Sequence, residues 1–141
     1  YSKSPLDVPS ATFPEKASEF EAQTAIGGGP VLINKGKIVD TWKEELFEVG
    51  GVEPASSQPR TAVGVTSDKK MIMFVCEGRN MTEGVKGMTT AEVAEILKDL
   101  GCVEAINLDG GGSTCMLVNG KETIKVSDGA QRAVASAVYF K

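Results

Sequence analysis

An α+β domain is predicted, with a mixed, largely antiparallel sheet of at least six strands and one main helix, Thr90 to Leu100, packed on it. Three observations carry that expectation. Only one segment combines helical periodicity with a defined start and stop. The other apolar runs are short and rich in Val, Ile and Met. Turns bearing glycine or asparagine separate them, the clearest at Asn119-Gly120.

Taken in order, residues 1–23 place Pro5, Pro9 and Pro14 among serines and charges and read as an extended arm or loop. A short acidic helix over Glu15 to Gln23, pinned by Phe20, is the alternative. Residues 24–141 then read as the domain. Ala25-Ile26, Gly27 to Pro30 and Val31-Leu32-Ile33 give strand, glycine turn and strand, and Asn34-Lys35-Gly36-Lys37 turns into Ile38-Val39. Over Thr41 to Ser57, Trp42, Leu46, Phe47 and Val49 suit a helical turn that Gly50, Gly51 and Pro54 break. That pattern fits a loop bordering a substrate, where Trp42 either stacks on a sugar ring or packs into the core.

Arg60 to Thr66 and Met71 to Cys76 read as an antiparallel hairpin. A two-residue loop of Asp68 and Lys69 would pair Thr66 with Met71 and set Arg60 opposite Glu77. Arg60, Glu77 and Arg79 then gather at one end. The rigid donor fork of arginine suits phosphate oxygens, with Glu77 orienting a guanidinium; the alternative is a surface ion pair of little consequence.

After a polar loop, Thr89 and Glu92 have capping-box spacing. Val93, Ile96, Leu97 and Leu100 fall on one helical face, and Gly101 is placed to end the helix in a left-handed conformation. A short connection through Cys102 leads to Ile106-Asn107-Leu108-Asp109-Gly110-Gly111-Gly112-Ser113-Thr114. Alternation along a strand puts Asn107 and Asp109 on one face. The glycines allow a tight turn and close approach of a ligand, and backbone N–H groups with the hydroxyls of Ser113 and Thr114 can bind an anion. A plain turn capped by Asp109 is the competing reading. A P-loop is excluded because no lysine precedes the Ser-Thr pair and no helical period follows, which also excludes a dinucleotide fold.

Cys115 to Val118 and Glu122 to Val126 flank Asn119-Gly120 as a hairpin. Ser127 to Arg132 is a polar loop before a last strand, Ala133 to Phe140. Asp128 and Arg132 either close over the same pocket or form a turn with one salt bridge.

Composition narrows the chemistry. At 141 residues and 41% hydrophobic content, the chain can build one modest core. A net charge of −4 argues against nucleic-acid binding, and no apolar run reaches membrane-spanning length. The sequence has no histidine, so acid–base work falls to carboxylates, Lys, Tyr or water. Cys76, Cys102 and Cys115 are widely spaced, lie in or beside apolar runs and specify no disulfide. No cofactor is expected; a divalent cation on Asp109, Asn107 and loop carbonyls is chemically conceivable, but no ligand spacing supports it.

Several motifs in order resemble the phosphodiester glycosidase family: Gly27-Gly28-Gly29-Pro30-Val31-Leu32, Pro59-Arg60-Thr61-Ala62-Val63-Gly64, Gly87-Met88-Thr89, Asn107 to Thr114, Val118-Asn119-Gly120-Lys121 and Ser127-Asp128-Gly129. The resemblance covers Thr24 to Lys141. It includes bacterial members linked to exopolysaccharide and points to the carboxy-terminal part of a domain whose strand-rich amino-terminal portion is a further partner. It implies hydrolysis of a sugar-1-phosphodiester of the N-acetylglucosamine-1-phosphodiester kind, or binding of a phosphorylated glycan, in a secreted, periplasmic or cell-envelope setting.

Carried onto this chain, the resemblance gives Asp109, Glu77 and Asp128 as catalytic candidates. Arg60, Thr61, Arg79, Asn107, Gly110, Gly111, Gly112, Ser113, Thr114, Ser127 and Arg132 are the candidates for holding substrate. Many relatives have an aspartate where Glu77 stands, so the longer acid departs from the pattern. The rival reading is a non-catalytic module that binds phosphorylated glycans or exopolysaccharide, or a portion inactive alone.

Overall fold

The computed structural model describes residues 24–39, 41–47 and 51–140. In chain order the elements are β1 (Val31–Asn34), β2 (Lys37–Ile38), β3 (Arg60–Thr66), β4 (Met71–Cys76), α1 (Thr90–Asp99), β5 (Cys102–Asn107), β6 (Leu117–Val118) and β7 (Lys121–Glu122). Five strands form one sheet in the order β2-β1-β5-β3-β4, all pairs antiparallel, and β6 and β7 form a separate hairpin. The protein is α+β.

Helix α1 begins as its sequence requires. Thr89 accepts from the Glu92 N–H, and Glu92 reaches back to the Thr89 N–H at 2.7 Å, so two otherwise unpaired donors are satisfied. It ends where Gly101 adopts φ +85°. Thr90, Val93, Ala94 and Leu97 are its buried positions. Val93, Ala94 and Leu97 pack on Leu32, Ile33, Ala62, Cys102 and Ala105 of the sheet. Burying an aliphatic side chain of this size contributes about 1.5–3 kcal/mol, so this seam anchors the domain. Leu100, expected on the same stripe, is 52% exposed, because the helix turns away from the sheet at its cap.

The register delivers the site. Ala62 lies opposite Asn107, and Arg60 opposite Cys76. The start of β3, the end of β4 and the end of β5 therefore lie at one end of the sheet. The entry to β1 joins them: Gly29 donates its N–H to the Asn107 carbonyl at 2.7 Å, and Asn107 donates its N–H to Pro30 at 3.0 Å. Gly28 is packed so closely there that a Cβ would come 2.5 Å from the Asn107 carbonyl oxygen.

Several expectations need correction. The β3–β4 register is one residue from the expected one: Val65, not Thr66, faces Met71, and Arg60 faces Cys76, not Glu77. Thr66 instead caps the turn, its hydroxyl accepting from the Lys70 N–H at 3.0 Å. Residues Ala25 and Ile26 are exposed and make no strand. The β6–β7 hairpin forms around Asn119 and Gly120, at φ +52° and +75°, but each strand is two residues long. Residues 133–140 are exposed and form no strand with the other described residues, where a strand was expected. Trp42 is half-buried beneath the Lys43 ammonium, 5.0 Å from its ring centroid. The arm and its alternative helix lie outside the described residues, as does Val49.

Candidate active site

A cleft of about 550 Å³ opens at the end of the sheet where these strands converge, walled by the Gly27–Gly29 and Gly110–Gly112 turns. Phe47, Val52, Glu53, Gln58, Arg60, Arg79, Asn107, Asp109 and Arg132 complete its functional lining. Asp109 is exposed in the cleft, two residues after the buried Asn107 that ends β5.

Asn107 is 2% exposed. Its Nδ2 donates to the Gly29 and Leu108 carbonyls, each at 2.9 Å, which fixes the amide orientation. Its Oδ1 is enclosed and has no partner among the described residues. An unpaired buried acceptor costs roughly 1–3 kcal/mol, so this atom marks a place where a donor is wanted.

The glycine turn is held by its neighbours. Gly111, at φ +56°, donates its N–H to the Pro59 carbonyl at 2.9 Å, and the N–H groups of Ser113 and Thr114 close the short 3-10 turn Gly111–Ser113. Among the turn's donors this leaves the N–H groups of Gly110 and Gly112 for a ligand. Thr114 is buried, and Thr61 reaches its hydroxyl at 3.4 Å, so these two side chains brace the turn from outside the cleft lining.

The arginines divide sharply. Arg60 is 2% exposed, and its guanidinium donates to four backbone carbonyls: Nε to Met88 at 2.8 Å, Nη1 to Val52, and Nη2 to Glu53 and Ser56, each at 2.7 Å. Burial lowers its pKa from the ordinary arginine value, with Cys76 and Glu53 opposing. Expected as a phosphate fork, Arg60 is instead the tie that draws the 52–56 loop against the sheet.

Arg79 and Arg132 lie half-exposed at the rim. Arg79 and Asn80 sit at φ +58° and +56° in a turn closed by the Met81 N–H on the Gly78 carbonyl. Holding a non-glycine residue such as Arg79 there costs on the order of 1 kcal/mol. From that turn the Arg79 side chain reaches Gln58 Oε1 at 3.2 Å and Ser127 Oγ at 3.5 Å. Arg132 reaches Ser113 Oγ at 3.4 Å. Asp128 lies between the two guanidinium groups, 2.6 Å from Arg132 Nη2 and 3.7 Å from Arg79 Nη1.

Glu77 does not line the cleft. Its Oε1 accepts from the Lys125 N–H at 2.8 Å. The Lys125 N–H first, and then the Thr82 hydroxyl, hold its carboxyl below the ordinary glutamate value. It anchors the strap that carries Ser127, Asp128 and Arg132. Of the expected residues, then, Asn107, Asp109, Gly110, Gly111, Gly112, Arg79 and Arg132 meet on the cleft, with Arg60 buried in its wall. Thr61, Ser113, Thr114, Ser127, Asp128 and Glu77 support it from outside its lining.

Sequence reasoning missed Glu53 and Gln58. Glu53 is exposed at φ +46°, and its Oε2 accepts from Gln58 Nε2 at 2.9 Å. The Gly-Gly break ahead of Glu53-Pro54 showed that the chain turns there, but contacts distant in sequence, from Arg60 to the Val52, Glu53 and Ser56 carbonyls and from Thr90 to the Pro54 carbonyl, bring that turn to the cleft. Among the described residues no three His, Cys, Asp or Glu side chains gather to hold a metal ion, and no helix is long and apolar enough to cross a membrane.

Guanidinium groups, an exposed carboxylate and a glycine turn at the ends of sheet strands make a site suited to an anionic substrate. Residues 7–141 match the phosphodiester glycosidase family, and the chain belongs to it. Mouse (Mus musculus) N-acetylglucosamine-1-phosphodiester alpha-N-acetylglucosaminidase is 34% identical over 108 residues, covering 75% of this chain and 20% of the mouse protein. The SPbeta prophage-derived uncharacterized protein YomE of Bacillus subtilis (strain 168) is 35% identical over 80 residues, covering 57% of this chain and 12% of that protein. The chain thus spans a fifth or less of the length of these relatives.

Among solved structures, a hypothetical protein from Synechocystis aligns with a TM-score of 0.62 at 30% identity, over 74% of this chain and 19% of that one. The zebrafish N-acetylglucosamine-1-phosphodiester alpha-N-acetylglucosaminidase catalytic domain, auto-inhibited by its pro-peptide, aligns with a TM-score of 0.60 at 32% identity, over 72% of this chain and 34% of that one.

Proposed function

We propose that this chain carries the phosphate-handling and catalytic part of a site that hydrolyses a sugar-1-phosphodiester, with residues 24–141 forming the carboxy-terminal part of the glycosidase domain. The observation that carries this reading is that Arg79, Arg132 and Asp109 line one cleft. Family membership and the names of the mouse and zebrafish relatives support an N-acetylglucosamine-1-phosphodiester type of substrate.

The chemistry follows from the leaving group. A phosphate monoester departs as a stable anion, so protonating it matters less than for an ordinary sugar ether. The site has to hold that anion and stabilise positive charge growing on the sugar. Arg79, Arg132 and the N–H groups of Gly110 and Gly112 hold the phosphate. Asp109 faces the anomeric centre, where it stabilises the oxocarbenium-like charge and takes a proton from attacking water as the C1–O bond to phosphate breaks. Asn107 Oδ1 accepts a hydrogen bond from a sugar hydroxyl. Glu53, held by Gln58, is the second carboxylate on the cleft, the place sequence reasoning gave to Glu77 or Asp128.

The test is turnover of a panel of alpha-linked sugar-1-phosphodiesters by this chain and by a polypeptide extended at its amino end. Asp109→Asn is expected to lower kcat by roughly 100-fold or more with the fold intact. Full turnover by Asp109→Asn would overturn the assignment. No turnover by either unmutated polypeptide, with affinity for phosphorylated glycans retained, would make the domain a binding module.

A further inference from the structure

The two rim arginines are not waiting empty; the protein supplies them with an anion of its own. Asp128 divides its carboxylate between them: Oδ2 accepts from Arg132 Nη2 at 2.6 Å and Nε at 3.1 Å, and Oδ1 lies 3.7 Å from Arg79 Nη1. Both guanidinium groups line the cleft, whereas Asp128 does not. The arginines therefore face the substrate space on one side and the carboxylate on the other.

We propose that Asp128 is a built-in competitor for the phosphate subsite. From outside the cleft its carboxylate occupies guanidinium donors that a phosphate in the cleft would use, and an incoming phosphate takes them from it. Carboxylate and phosphate offer the same kind of paired oxygens to a guanidinium fork, so the two compete for the same donors. That exchange deepens the phosphodiester reading, which supplies the identity of the ligand.

Three further features support exchange over a permanent tie. The side chains of Arg79, Arg132 and Asp128 are 46%, 49% and 36% exposed, and solvent-exposed ion pairs are weak enough to trade. Each arginine also has a neutral partner that stays when the carboxylate leaves: Gln58 Oε1 and Ser127 Oγ for Arg79, Ser113 Oγ for Arg132. Finally, a Cβ on Gly112 would overlap both Arg132 Nη2 and Asp128 Oδ2. The missing side chain lets the charged pair lie directly on the glycine backbone, beside N–H groups that an anion in the cleft would use.

The same geometry speaks against proton transfer by Asp128. Its carboxylate is engaged by two guanidinium groups and lies outside the cleft lining. Its removal should therefore strengthen anion binding before it affects chemistry.

Calorimetric titration of the full chain with inorganic phosphate and with a sugar-1-phosphate at low salt tests this. Asp128→Asn should tighten both by roughly 1.5- to fivefold, the worth of an exposed ion pair. Asp128→Ser, which removes the charge with a shorter side chain, should do the same at an unchanged thermal midpoint. Arg132→Ala and Arg79→Ala should each weaken binding, in the parent and in the Asp128→Asn background. Unchanged or weaker phosphate binding in both Asp128 variants would overturn the proposal. So would lost turnover at unchanged affinity, which would make Asp128 a catalytic carboxylate. Tighter phosphate binding in a chain that hydrolyses no phosphodiester would keep the competitor and sink the glycosidase reading instead.

Discussion

Arg60 and the Arg79–Arg132 pair present the same functional group in opposite circumstances. Arg60 is enclosed, with its donors directed to the carbonyls of Met88, Val52, Glu53 and Ser56. Arg79 and Arg132 are half-exposed and share one carboxylate that can leave. The difference teaches that what an arginine does depends on whether its partners are backbone or exchangeable. Backbone carbonyls fixed by the fold make it a tie; an exposed carboxylate leaves it available for substrate.

The sharpest way to break this comparison is Arg60→Lys. A single ammonium keeps the charge but cannot serve carbonyls on separate turns. Leaving buried acceptors unpaired should destabilise the fold by about 3 kcal/mol, which lowers the midpoint of thermal unfolding by roughly 10 °C. Arg79→Lys should change stability by less than about 0.5 kcal/mol, as surface changes usually do. A reversed order, with Arg60→Lys stable but unable to bind phosphate, would return Arg60 to the substrate.

The two ends of the glycine turn sharpen the same contrast. A Cβ at Gly110 would sit 2.7 Å from the Pro59 carbonyl oxygen, part of the rigid start of β3. At Gly112 its nearest neighbours would be the flexible ends of Arg132 and Asp128. Gly110→Ala should therefore cost about 1–3 kcal/mol of stability as overpacking. Gly112→Ala should leave the unfolding midpoint nearly unchanged and weaken phosphate binding by displacing Arg132. Equal losses of stability would mean that Arg132 and Asp128 are as fixed as the backbone.

How legible all this was depends on range. Helix α1 was readable because its signals are local: Thr89, Glu92 and the Val93-Leu97 spacing lie within three turns. The Asn119-Gly120 hairpin and the Asn107–Thr114 turn were readable for the same reason. The β3–β4 register was not, because the Thr66 side chain takes the turn's Lys70 N–H and shifts the pairing by one residue. Residues 133–140 have apolar alternation suited to a strand, but alternation names no neighbour, and among the described residues the segment pairs with none. Arg60 and Glu53 were misread or missed together: sequence shows that each is charged, while only the folded chain shows that the Glu53 carbonyl is where Arg60 donates.

Glu77 gives the smallest effect and the finest test, because it stands between the two arginine classes. Like Arg60 it is tied to backbone, through the Lys125 N–H, yet the strap it holds carries the exchangeable pair's partners. Its folded pKa is depressed, by the Lys125 N–H and then the Thr82 hydroxyl. A depressed carboxylate contributes stability that is fully present above its unfolded pKa and is lost as pH falls through the folded one. Glu77→Gln should thus lower the unfolding midpoint slightly near neutral pH and flatten its decline just below the ordinary glutamate range. Phosphate affinity should fall modestly too, since a loosened Lys125 strap places Ser127 and Arg132 less firmly. Wild type and Glu77→Gln with parallel acid profiles would show that the Lys125 bond carries no linkage. An unchanged profile with turnover abolished would put Glu77 back in the chemistry, against its position outside the cleft lining.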